Sequence, residues 1–201
     1  MQPTFLTAAL TRPHARALQL GERVGAVVFF TALTAAAAQI SVPLPFTPVP
    51  FTFQPMVVLV GAMALGARLG MTSQLVYLAL GVAGLPVFAA SPALPQGVAR
   101  LAGPTGGYLM AYPFAAYLVG ALAERGFDRR YLTSVVAMTC GLAVVFAFGI
   151  LWLGLFTPGA RGLSAALVAG FYPFVLEDLV KLLVAAIVMP RLWALTASDA
   201  K

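Results

Sequence analysis

The sequence predicts an all-α integral membrane protein with six transmembrane helices and both termini in the cytoplasm, and three observations carry that prediction. The 201 residues are 61% hydrophobic and only 9% charged, with a mean hydropathy of +0.96, far from the apolar half and charged quarter of a soluble domain. Uncharged stretches run Val24 to Ala67, Leu69 to Ala99, Leu101 to Ala123 and Tyr131 to Ala160, where a spanning helix needs only about 20 residues. Their apolar residues are continuous rather than alternating with period two, which selects helices over a barrel.

The first span is placed at Val24 to Ser41, where Ala32 and Ala36 lie four apart in a run of small residues that suits close helix packing within a membrane. A loop follows in which Pro43, Pro45, Pro48, Pro50 and Pro55 interleave with Phe46, Phe51 and Phe53; fixed proline dihedrals hold such a chain extended, as a stiff apolar cover or as a packed connector. The second span, Phe53 to Ala67, is short and must tilt little or begin within that loop. The third runs Leu69 to Phe88, and the loop after it carries Arg100 and then Gly103, Pro104, Thr105, Gly106 and Gly107, glycines that permit close backbone approach. The fourth, fifth and sixth are Gly107 to Ala123, Leu132 to Phe156 and Pro173 to Pro190.

Charge sets the orientation. With the N-terminus inside, nine of the twelve basic residues are cytoplasmic: Arg12, Arg16, Arg23, Arg68, Arg125, Arg129, Arg130, Arg191 and Lys201. Only Arg100 and Arg161 fall outside, in keeping with the positive-inside rule. The net charge of +6 therefore marks topology rather than nucleic-acid binding. The chain divides into a cytoplasmic segment 1–23, a membrane domain 24–190 and a cytoplasmic tail 191–201. A cleaved signal peptide ending near Ala36 to Ala38 is the competing arrangement, and it would leave five spans.

The polar inventory removes several chemistries. There is no phosphate-binding glycine loop followed by Lys and Ser or Thr, one histidine, His14, on the cytoplasmic flank, and no cluster with metal-ligand spacing. The single cysteine, Cys140, excludes an internal disulfide. No catalytic set, no metal and no cofactor is expected. What remains is Glu177, Asp178 and Lys181 in the last span. Charges in a membrane helix are costly and are functional candidates. Asp178 and Lys181 are three apart and share a face, roughly 8–12 Å below the outer end by helical rise. Glu177 points about 100° away from Asp178, and a purely structural ion pair is the competing role.

The runs AQISVPLPFTPVPFTFQP after the first span, GLPVFA after the third, GPTGGYL opening the fourth and EDLVK in the last resemble the BioY family, the biotin-specific substrate-binding (S) components of energy-coupling factor (ECF) transporters. The resemblance extends from about Arg23 to Pro190. It implies high-affinity biotin capture from outside the cell by a multi-pass protein of the bacterial inner membrane, a transport subunit rather than an enzyme. The implied partners are the lipid bilayer, a transmembrane coupling protein and two ATPase subunits, with no nucleic acid. Biotin is the ligand, not a cofactor.

The resemblance carries Arg100, Asp178 and Lys181 over as ligand residues, Tyr108 as a weaker match, and Ala32 and Ala36 as contacts to the coupling protein. Asp178 then accepts from a ureido N–H of biotin, Lys181 donates to the ureido oxygen or to Asp178, and Arg100 clamps the carboxylate, with the two cations interchangeable at this stage. Phe51, Phe53 and Tyr108 are candidate walls, and Thr52 and Gln54 candidate polar contacts near the mouth. Where many relatives have Pro-Gly before the aspartate this chain has Leu176 and Glu177, so a more acidic mouth is expected. Three other outcomes stay open: a stand-alone biotin facilitator, an S component for another vitamin, and a membrane enzyme using Asp178 and Lys181 as acid and base.

Overall fold

The computed structural model describes residue 5 and residues 16–90, 95–157 and 162–198. Arg12, His14, Arg161 and Lys201 of the charge pattern lie outside the described residues. The chain is mostly helical: α1 (Arg16–Gln39), a short hairpin of β1 (Ser41–Val42) and β2 (Phe51–Thr52), α2 (Gln54–Leu65), α3 (Ala67–Val82), α4 (Val98–Ala102), α5 (Gly106–Ala123), α6 (Tyr131–Phe156), α7 (Leu163–Gly170), α8 (Tyr172–Ala185) and α9 (Val188–Ser198).

In α1, Val27, Thr31, Thr34 and Ala38 are buried while Val28, Phe29 and Leu33 are exposed. Spacings of three and four put the first set on one stripe facing the other helices. The large apolar side chains left outside have no reason to face water and every reason to face lipid. The same holds for Leu151 and Leu155 on α6 and for Leu176 and Val184 on α8.

The proline-rich segment is extended, as its composition predicts, and it closes on itself. Ser41 pairs with Thr52 and Val42 with Phe51 in an antiparallel ladder. Pro55 then stands in the first turn of α2, where its missing N–H has no helical partner to lose.

α2 is central, with Met56, Val58, Leu59, Ala62 and Met63 all buried. Its 12 residues span only about 18 Å, and it is surrounded by protein rather than lipid. Gly66, at φ 82°, breaks the chain between α2 and α3 in a conformation that costs glycine nothing. The Glu124 carboxylate accepts the Ala67 N–H at 2.9 Å, capping the positive end of α3. α5 packs against α2, α3 and α6. Gly120 allows a close approach to the α2–α3 junction, because a Cβ there would stand 2.4 Å from the Gly66 and Ala67 backbone.

Among the described residues, three helical stretches are long and apolar enough to cross a membrane: Gln19–Gln39 of α1, α5 and α6. The last predicted span, Pro173 to Pro190, is not one helix, since α8 ends at Ala185 and α9 begins at Val188. The cause is local. Pro190 has no N–H to give the Ala186 carbonyl, and the turn tightens into the Ile187 N–H to Val184 oxygen bond, 3.2 Å long. The third predicted span also ends early, at Val82 rather than Phe88.

Candidate functional site

The hairpin, the loop after α3, α4, the first halves of α2, α5 and α8 and the middle of α6 enclose a cleft of about 620 Å³, counted to its open mouth. That is within the range of small-molecule sites.

Its walls are mainly apolar and aromatic: Phe88, Tyr108, Tyr112, Phe146 and Phe174, with Val49 and Pro50 from the hairpin side. Tyr108 and Tyr112 sit one turn apart on α5, so both face the cleft. The Tyr108 hydroxyl is already committed, donating to the Gly170 carbonyl at 2.7 Å. Its position is fixed from behind by two glycines. A Cβ on Gly149 would lie 2.2 Å from the Tyr108 ring, and one on Gly170 2.2 Å from its hydroxyl.

Five polar side chains set the chemistry. Arg100 is 1% exposed, and one of its terminal nitrogens donates to the Ala89 carbonyl. Its Nε and Nη1 find no partner among the described residues. Burial pulls the guanidinium pKa below its ordinary value, partly opposed by Tyr77. Nearby, the Thr105 hydroxyl is buried and lacks a partner among the described residues. Asp178, on α8, is buried and lines the cleft, as does the less buried Glu177. The Gln54 amide donates to the Tyr77 hydroxyl at 2.6 Å, which donates on to the Val87 carbonyl at 3.1 Å. That chain ties the start of α2 to the loop after α3.

Of the eight ligand-side residues expected from the sequence, Arg100, Asp178, Tyr108, Thr52 and Gln54 line the cleft, and Phe53, expected as a wall, does not. Lys181 and Phe51 stand beside it. The Lys181 ammonium lies 2.8 Å from Asp178, 2.9 Å from Glu177 and 2.8 Å from the Thr52 carbonyl. The Phe51 ring lies beneath it, with its centroid at 4.2 Å. Ala32 and Ala36 are exposed on the outer face of α1.

Thr105, Tyr112, Phe88, Phe146 and Phe174 were not singled out from the sequence. Tyr112 and Phe174 carried a usable signal, each four residues from a predicted site residue, and Thr105 sits inside the GPTGGYL run. Phe146 carried none. The arrangement suits a small ligand with a flat or ring-shaped apolar body, hydrogen-bond donors to meet the carboxylates, and an acceptor or anionic group to meet the free guanidinium nitrogens.

The BioY family model matches residues 12–198. A probable biotin transporter BioY from Pyrococcus horikoshii is 40% identical over 171 residues, covering 85% of this chain and 96% of that protein. The biotin transporter BioY of Thermotoga maritima is 42% identical over 164 residues, covering 81% and 90%. In three dimensions the chain matches the crystal structure of the S-component for biotin from an ECF-type ABC transporter with a TM-score of 0.77, over 90% of this chain and 95% of that one, at 24% identity. At that identity the match speaks for a shared fold.

Proposed function

The chain belongs to the BioY family, and on that premise we propose that it captures biotin outside the cell and delivers it across the membrane as the S component of an ECF-type transporter. It is a transport subunit, not an enzyme. The observation that carries the assignment is the pairing, in one aromatic cleft, of a buried guanidinium with two unpartnered nitrogens and a carboxylate on a different element.

Biotin matches that pairing group by group. Its ureido N–H donors meet Asp178, its thioether ring packs among Tyr108, Phe146 and Phe174, and its carboxylate meets Arg100 with the Thr105 hydroxyl beside it. The hairpin covers the mouth. The protein spans the bacterial inner membrane with six helical segments, α8 and α9 together making the last, and both termini are cytoplasmic. Ala32 and Ala36 give α1 a flat outward face for a transmembrane coupling protein, and two ATPase subunits bound to that protein supply the work of release.

Equilibrium binding of labelled biotin to the purified full chain tests this, with Asp178→Ala alongside. Saturable binding that the variant loses supports the assignment. Absence of binding by folded wild-type protein overturns it.

A further inference from the structure

Tyr77 is fully buried on α3 and does not line the cleft, yet two residues that do line it, Gln54 and Phe88, rest against it. Its ring meets the Phe88 ring edge-on, with centroids 5.6 Å apart. Its hydroxyl stands 2.6 Å from the Gln54 amide nitrogen and 3.1 Å from the Val87 carbonyl oxygen.

Polarity along that chain runs one way. A backbone carbonyl accepts and never donates, so the single hydroxyl proton of Tyr77 goes to Val87. The tyrosine oxygen is then an acceptor towards Gln54, and the NH2 end of the amide is the end that can meet it. Turning the amide over would set two acceptor oxygens against each other, across 2.6 Å at Gln54 or 3.1 Å at Val87. With its nitrogen held by Tyr77, Gln54 leaves its carbonyl oxygen to the cleft. No bond among the described residues engages that oxygen, and it is not sealed away from the cleft that Gln54 lines.

A cyclic urea carries its two N–H groups on opposite edges, pointing apart, so one carboxylate reaches only one of them. Glu177 and Asp178 both stand on α8. An acceptor for the second N–H has to come from another element, and α2, which packs against α8, brings Gln54.

We propose that Tyr77 is a positioning residue that fixes the polarity of the Gln54 amide, so that the cleft offers a carbonyl oxygen at the start of α2 and selects ligands with a second N–H donor. For biotin, Gln54 joins Asp178 in receiving the ureido N–H pair. The choice of a ureido ligand rests on the biotin assignment above; the fixed amide does not.

Two cyclic carbamate analogues of biotin, each with oxygen in place of one ureido N–H, test the selection by equilibrium binding to the purified full chain. Each should bind wild type about 10²-fold or more weakly than biotin, because it sets an oxygen against an acceptor. In Gln54→Met the gap between biotin and one of the two should close by about tenfold or more, which identifies the analogue whose oxygen faces Gln54. Tyr77→Phe keeps the ring against Phe88 and frees the amide to turn its NH2 towards the ligand. There the same gap should narrow by about tenfold or more, while the gap for the other analogue stays within about threefold of wild type. A Tyr77 that only supports the wall would weaken biotin and both analogues alike. Gaps unchanged in Tyr77→Phe, or in Gln54→Met, overturn the proposal.

A ligand-free arm reads the amide itself. In isotope-labelled full chain, the Gln54 side-chain NH2 signal is identified by its loss in Gln54→Met. Its protons should exchange with water about tenfold or more slowly in wild type than in Tyr77→Phe, the scale of one buried hydrogen bond. Should Tyr77→Phe fail to fold, free glutamine in the same buffer is the reference, and a wild-type amide that exchanges as fast as free glutamine overturns the fixed amide. No biotin binding by folded wild type, with slow amide exchange intact, removes the biotin assignment and leaves the hold of Tyr77 on Gln54 standing.

Discussion

Replacing Arg100 with Met should move ligand-free stability and ligand affinity in opposite directions. In the empty protein the guanidinium is 1% exposed with two of its nitrogens unpartnered. A buried donor left unsatisfied costs roughly 1–3 kcal/mol, and more when charged, less whatever water in the open cleft recovers. Met fills a similar volume without any donor. It forfeits the bond to the Ala89 carbonyl, worth about 1 kcal/mol, and removes the larger burial cost. Arg100→Met should therefore unfold at the same temperature as wild type or a few degrees higher. With biotin the sign reverses, because the carboxylate loses two charge-assisted bonds of about 1.5–3 kcal/mol each. That sum, about 3–6 kcal/mol, is a loss of roughly 10²- to 10⁴-fold in affinity. Thermal unfolding of the detergent-solubilised chain, with and without biotin, reads both effects in one experiment. A variant that is markedly less stable when empty yet binds normally would show Arg100 to be a structural tie between α4 and the Ala89 loop, and would refute the reasoning.

Gly170→Ala should cost about 1–3 kcal/mol of stability, because its Cβ would stand 2.2 Å from the Tyr108 hydroxyl; thermal unfolding checks this, and weaker biotin binding should accompany it as the tyrosine is pushed from the cleft wall. Ala32→Leu on the exposed face of α1 should leave stability within about 0.5 kcal/mol and biotin binding intact while abolishing co-purification with a coupling protein. At the other end of the molecule, burial raises the pKa of Asp128, against the opposing bond from Trp193, the residue's own backbone and the nearby Arg129. The folded chain thus holds that proton to higher pH than the unfolded chain, so stability from this group is full below the unfolded value, about 3.9, and declines as pH rises through the folded one. Asp128→Asn keeps an acceptor for Trp193 and should flatten that slope in a pH series of unfolding temperatures.

Much of the architecture was legible because apolar runs in a membrane protein have few alternatives. α5 and α6 begin and end within a residue or so of the predicted spans. The failures are local and physical. Pro190 lies near the end of the last apolar run, and hydropathy alone does not register that a proline there leaves Ala186 without a helical donor, so the break between α8 and α9 was missed. Arg100 and Asp178 were legible because a charge in an apolar chain must be accounted for. The helical period put Lys181 on the same face as Asp178, but a long, flexible side chain can direct its ammonium several ångströms from where its Cα stands. It stands 2.8 Å from both Asp178 and the Thr52 carbonyl, two groups of the cleft wall. Phe146 and Phe88 are apolar residues among many others, and only the packing distinguishes them.

The most direct test of the account is a comparison of biotin with its methyl ester, bound at equilibrium to wild type and to Arg100→Met. If the carboxylate lies on Arg100, the ester should bind wild type about 10²-fold or more weakly than biotin does, and the variant should bind the two alike. An ester penalty that survives undiminished in Arg100→Met would contradict the assignment of the carboxylate to Arg100 and, with it, the orientation of biotin in the cleft.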